Sequence, residues 1–116
     1  EFTKEGTPEM IEESISRGAA VLVGWLHSGD LTRGEPPMCD NYSCGHWSVI
    51  TGFQGKRSPV GDQYWVMHDP MGKPLMQRGG HDQLRSGKSV RVRQSEFNHR
   101  WLVDGPNSGW MITISP

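Results

Sequence analysis

Two short apolar segments of this 116-residue chain hold the side chains best suited to chemistry. Gly45-His46-Trp47-Ser48-Val49-Ile50-Thr51-Gly52-Phe53 and Tyr64-Trp65-Val66-Met67-His68-Asp69-Pro70 are rich in β-branched and aromatic residues, and the Gly, Pro and Asp of segment 54–62 between them are turn formers. The pattern predicts two antiparallel strands. Pairing Phe53 with Asp62 sets His46 opposite Asp69, and directly opposed residues lie about 4.5–5.5 Å apart at Cβ. A carboxylate at that distance accepts an imidazole N–H, fixes the tautomer and supports the imidazolium. This is the base half of a nucleophilic triad, in which His46 takes the proton of a Ser or Cys nucleophile and Asp69 orients His46. The competing reading is a solvated pair on an exposed hairpin, since polar residues on strands are commonly just exposed.

The neighbouring elements must hold this hairpin. Thr7-Pro8-Glu9 is a helix start, with a capping hydroxyl, a proline tolerated in the first turn and an acid at the positive helix end. The helix is expected to run to Arg17 and stop at Gly18. Segment 19–26, Ala19-Ala20-Val21-Leu22-Val23-Gly24-Trp25-Leu26, is apolar at every alternation, which predicts a central strand covered on both sides. Segment 28–43 is expected to be a long loop rimming a cleft, and 71–89, with four glycines and a proline, a second loop. Val90-Arg91-Val92-Arg93 reads as a short edge strand. Ser95 is expected to cap a helix through Leu102, with Phe97 and Trp101 on one face, and Trp110 to Ile114 is the last strand. The expected architecture is a single α+β domain over 1–116, a twisted antiparallel sheet with one or two flanking helices.

The Gly-His motif, the strand after it and the Asp-Pro that ends the next strand resemble the papain-like cysteine peptidases related to the double-glycine leader peptidases. The preceding helix and strand, Ile11 to His27, the segment Ser95-Glu96-Phe97 with Trp101, and the strand Trp110 to Ile114 fit in order, so the resemblance covers nearly the whole chain. It implies a papain-like fold with His46 as catalytic base and Asp69 as its orienting partner. In that family the nucleophilic Cys opens a helix, with an oxyanion-stabilising Gln shortly before it, both in an N-terminal half. Residues 1–6 are a polar stretch leading into the first helix, so this chain is read as the second, C-terminal half of such a fold. Three alternatives stay open: a fragment, a nucleophile supplied by an N-terminal fragment or second chain, or a domain that is not a peptidase. The expected activity is amide or peptide bond hydrolysis, with deamidation or transglutamination by the same parts. The expected partner is a peptide or protein substrate, and the alternative is an inactive papain-like domain that binds one.

Other residues could carry chemistry of their own. Cys39 and Cys44 form a Cys-x4-Cys pair that suits a local disulfide or two thiols. A metal site built from Cys39, Cys44, His46 and His27 or His68 lacks the paired spacing of zinc sites, so no metal is expected. Cys44 lies two residues before His46 and is an alternative nucleophile, though it lacks a helix N-terminus to favour the thiolate. Trp25, Trp47, Trp65 and Trp110 are expected in the core, and Trp47 is also a candidate wall of a substrate cleft. His68 should face away from Asp69, and His81 and His99 are expected on the surface.

Composition bounds the rest. Twelve basic and thirteen acidic residues give a net charge of −1, which provides no electrostatic case for nucleic acid or a membrane surface as the principal partner. No apolar run approaches the roughly 20 residues of a membrane span, and residues 1–20 carry no signal-peptide core. No cofactor is expected.

Overall fold

The computed structural model describes residues 1–38, 45–55 and 63–115. Among the described residues eight strands and two α-helices follow one another as β1 (Phe2–Gly6), α1 (Pro8–Ser16), β2 (Ala20–Trp25), β3 (His46–Gln54), β4 (Tyr64–His68), β5 (Lys73–Pro74), β6 (His81–Asp82), β7 (Val90–Arg93), α2 (Gln94–Trp101) and β8 (Gly109–Ile114). Six of the strands form one sheet in the order β1-β8-β2-β3-β4-β7, and β5 and β6 form a small hairpin. Every pairing among these strands is antiparallel. The architecture is an α+β domain.

Local chemistry explains most of the boundaries. The Thr7 hydroxyl accepts the Met10 N–H at 3.2 Å, Pro8 and Glu9 fill the first turn of α1, and Gly18 leaves the helix at φ 87°. α2 begins at Gln94, with Arg93 at its cap position and no side-chain cap bond, so Ser95 lies inside the first turn instead of capping it. Residues 2–6 are a strand, although they read as polar lead-in. The four side chains on β1, at Phe2 to Glu5, are all exposed or half-buried on a sheet edge, so no apolar alternation marks it. β7 is the opposite edge, and Arg91 and Arg93 cover the Tyr64 ring at 4.6 and 5.3 Å.

The core lies on one face of the sheet. Ile11 of α1, Phe97 and Trp101 of α2, and Val21, Val23, Trp25, Ile50, Trp65, Met67, Val92 and Met111 of the strands pack into a single buried cluster. Both helices therefore cover the same face. β2 shows the result, since alternate residues are buried and half-buried along its length, which corrects the expectation of a strand covered on both sides. On the other face Trp47 and Trp110 remain 37% and 43% exposed, so they are not core residues.

The register of the central hairpin also differs from the sequence expectation. Val49 pairs with His68 and Ile50 with Met67, and after an irregularity between Ile50 and Gly52 the pairing resumes as Phe53 with Trp65. The extra residue lets Ile50 and Phe53 both pack toward the core despite their odd spacing. Gly52, a glycine inside a strand, is the local signal for this bulge.

Val23 has no exposed surface and Leu84 is 98% exposed. Val23→Asp is expected to lower stability by more than about 3 kcal/mol, because it buries an unpaired charge. Leu84→Ser should stay within about 0.5 kcal/mol of the parent. Urea unfolding of the two variants checks the assignment of the core face.

Candidate functional site

Four segments bring polar side chains to one point on the helix-covered face. Trp25 pairs with His46, and Val23 with Ser48, so the alternation of β3 sends His46 and Ser48 to the same side. Gly45 precedes them at φ 93°, a left-handed conformation in which a side chain is strained. Asp69 follows the last residue of β4. Continuing the Val49–His68 pairing sets it across from Ser48, diagonal to His46. The Asp69 N–H donates to the Gly87 carbonyl at 2.9 Å, and a Cβ on Gly87 would lie 1.9 Å from the Asp69 carbonyl oxygen, so only glycine permits this approach.

The expected neighbours meet. His46 Nε2 lies 2.7 Å from Asp69 Oδ2. The same oxygen is reached by Ser48 Oγ at 2.6 Å and by His81 Nε2 at 3.0 Å, while Oδ1 accepts the Met71 N–H at 2.9 Å. The Ser48 hydroxyl in turn accepts the Trp25 indole N–H at 3.0 Å. The Asp69 side chain has no exposed surface. Burial alone would raise its pKa. The hydrogen bonds from His46, His81, Ser48 and the Met71 amide override that and hold the carboxyl far below the usual range. An ionised carboxylate only accepts, so Nε2 is the protonated nitrogen of each imidazole in contact with it. For His46, Nδ1 is then the nitrogen that remains to exchange a proton.

A third imidazole joins the cluster. His27 follows β2 and stacks on His46 with ring centroids 4.9 Å apart, while His46 and His81 are 4.6 Å apart and the Trp25 ring is 5.7 Å from His46. The loops that carry His27 and His81 are held by Arg100 of α2, which has no exposed surface. Its guanidinium donates to the carbonyls of Met76, Ser28 and Gly29 at 2.7 Å each and to that of Leu26 at 3.3 Å. Burial pushes the Arg100 pKa down from its ordinary range, and the nearby charge of Asp30 opposes this. Gly80 N–H completes the link between the loops by donating to the His27 carbonyl.

His81 is therefore not the surface residue its loop context predicts. Its side chain is only 1% exposed. His99 is exposed, as expected. His68 faces away from Asp69, with its Nε2 3.1 Å from the Thr51 hydroxyl. Trp47 points to the open face, not to the side of His46. There it lines a groove of about 210 Å³ with Gly24, Leu26, Trp101, Val103 and Trp110. A depression of about 810 Å³ is lined by His68, Asp69 and the 83–88 loop and includes neither His46 nor His81. Cys39 and Cys44 lie outside the described residues, so the disulfide, the Cys44 nucleophile and the metal set built on these cysteines do too. A different donor set is present: ligand atoms of His46, Asp69 and His81 all lie within 4.8 Å of one another.

Sequence reasoning missed Ser48, His81 and the Trp25 indole as members of the cluster. Ser48 had a signal, since it stands two residues from His46 on a strand and so shares its face. His81 had none beyond its place after Gly79-Gly80 in a loop. Neither the family models, nor the curated proteins, nor the solved structures compared with this chain match it.

Two outcomes are expected from this geometry. Asp69→Asn should cost about 2–4 kcal/mol at neutral pH, because it removes the charge that three side chains and one amide address. A carboxyl held low in the folded state stabilises fully above its unfolded pKa of about 4 and loses that contribution as pH falls toward the folded value. The stability gap between parent and variant, read by urea unfolding, should thus be constant from pH 7 to 5 and narrow below pH 4. Arg100→Met should cost at least about 3 kcal/mol, because it leaves buried carbonyls without donors. Arg100→Lys should recover only part of this, since one ammonium cannot reproduce the fork.

Proposed function

We propose that this chain is the base-bearing part of a papain-like cysteine peptidase domain that hydrolyses an amide or peptide bond. The observation that carries the reading is the 2.7 Å contact between His46 Nε2 and a buried, ionised Asp69. His46, with its side chain 11% exposed, is the member of the pair that a substrate can reach.

In this reading Asp69 fixes His46 with a proton on Nε2, so Nδ1 takes the proton of a thiol. The thiolate attacks the carbonyl carbon and the imidazolium returns its proton to the leaving amine. His46 then deprotonates a water molecule, which hydrolyses the acyl-thioester and releases the thiol. The hydroxyl in the cluster is not the nucleophile, because Ser48 is buried and engaged with Trp25 and Asp69. The thiol is delivered to His46 by a segment outside residues 1–116, in the same polypeptide or in a second chain, with Cys44 as the competing source. Deamidation or transglutamination would use the same steps with a different leaving group or acceptor. A second reading, a domain that keeps the fold to bind a peptide or protein, draws support from the exposed Trp47 and Trp110 beside the groove on the open face.

Peptide hydrolysis should be measured for the 116-residue chain alone and joined to a thiol-bearing segment, with and without a thiol alkylator. Alkylator-sensitive cleavage is expected only in the second case, and His46→Ala should lower kcat/KM by about 10³-fold with little change in thermal unfolding. Cleavage by the chain alone, abolished by Cys44→Ala, would move the nucleophile into the loop before His46. Retention of full activity in His46→Ala would overturn the reading.

A further inference from the structure

Acyl transfer needs one imidazole on Asp69, and the protein places two there. The His81 side chain is 1% exposed, its Nε2 reaches Asp69 Oδ2 at 3.0 Å, and its Nδ1 is buried without a hydrogen-bond partner. Base catalysis at His46 makes no use of this second imidazole, whose Nε2 is the nitrogen that faces the shared carboxylate. Oδ2 is also oversubscribed. A carboxylate oxygen has two lone pairs, yet His46, His81 and Ser48 all converge on this one while Oδ1 takes a single amide.

We propose that His46, Asp69 and His81 form a binding site for a divalent transition-metal ion of the zinc class. Two imidazoles and one carboxylate, with a fourth position left to water or a substrate group, are a donor set suited to zinc and its first-row neighbours, whereas calcium and magnesium take oxygen ligands. The ligand atoms already lie within 4.8 Å of one another. Tetrahedral bonds near 2.1 Å separate ligands by about 3.4 Å, so the two His–Asp contacts, at 2.7 and 3.0 Å, need to open by roughly 0.7 and 0.4 Å. The surroundings favour an ion here, because Ser48 donates to Asp69 and is itself held by the Trp25 indole, an outer shell that orients the carboxylate. Ion binding takes Nε2 of His46 away from Asp69. On the peptidase reading, metal occupancy and base catalysis are therefore mutually exclusive, and the ion is a reversible inhibitor; the binding itself does not rest on that reading.

The test uses chelator-stripped protein titrated with Zn²⁺ by calorimetry and with Co²⁺ by visible absorption, neither of which requires substrate. One equivalent of each ion is expected, with a rise in melting temperature on loading. A Cys39→Ser/Cys44→Ser variant should bind as the parent does. His81→Ala and the bulkier His81→Gln, each checked for cooperative unfolding, should bind more than about a hundredfold more weakly and lose the Co²⁺ spectrum. Absence of stoichiometric binding by the parent would overturn the proposal, as would binding that survives both His81 variants or disappears with the two cysteines. Inhibition of cleavage by Zn²⁺ that His81→Gln relieves would tie the site to catalysis. A peptidase assay that fails while Zn²⁺ binding depends on His81 would remove the catalytic reading and leave the metal site standing.

Discussion

A carboxylate with no exposed surface sits where three segments of this chain meet, and its charge is met from all of them. β3 contributes His46 and Ser48, the hairpin of β5 and β6 contributes His81, and the turn after β4 contributes the Met71 amide. Each donor is useful only if its segment is in place. The cost of an uncompensated buried charge thereby couples loop positions to sheet register, which apolar packing alone would not do. Arg100 supplies the counterpart. It is a buried cation met by carbonyl dipoles, and it ties the loop after β2 to the loop before β6. Asp69 thus holds His81, and Arg100 holds the carbonyls on either side of His27.

The two faces of the sheet have different physical roles. Both helices pack on one face, and the polar cluster lies on that side at the edge of the apolar core, next to Trp25. There the local dielectric is low, so each hydrogen bond to Asp69 is strengthened and its loss is costly. The other face is half-covered, with Trp47 lying over Gly24, whose missing side chain leaves room for the indole, and with Trp110 flanked by Phe2 and Lys4. Among the described residues it carries exposed apolar area at Trp47 and Trp110.

One buried carboxylate is shared by two imidazoles. On the proposed readings, a proton on Nε2 of His46 makes the pair an oriented base, and an ion at the same nitrogen would make it a ligand.

Periodicity and local chemistry were enough to place α1, β2, β3, β4, β7 and β8 and to bring His46 to Asp69, because strand alternation and turn residues are properties of neighbouring positions. The Thr7 cap, the Gly18 stop and the Phe97–Trp101 face of α2 follow from the same short-range rules. The bulge at Gly52, the placing of both helices on one face and the strand character of 2–6 were decided by pairing across the sheet. His81 shows the limit most clearly. It stands twelve residues from Asp69, at the start of β6 after two glycines, and Arg100 and Gly80 tie that hairpin to residues 26–29 after β2. Sequence determines which residues can share a face, since that depends on the pleat. Only the tertiary structure decides which loops fold inward, since that depends on whether buried donors elsewhere in the chain meet their polar groups.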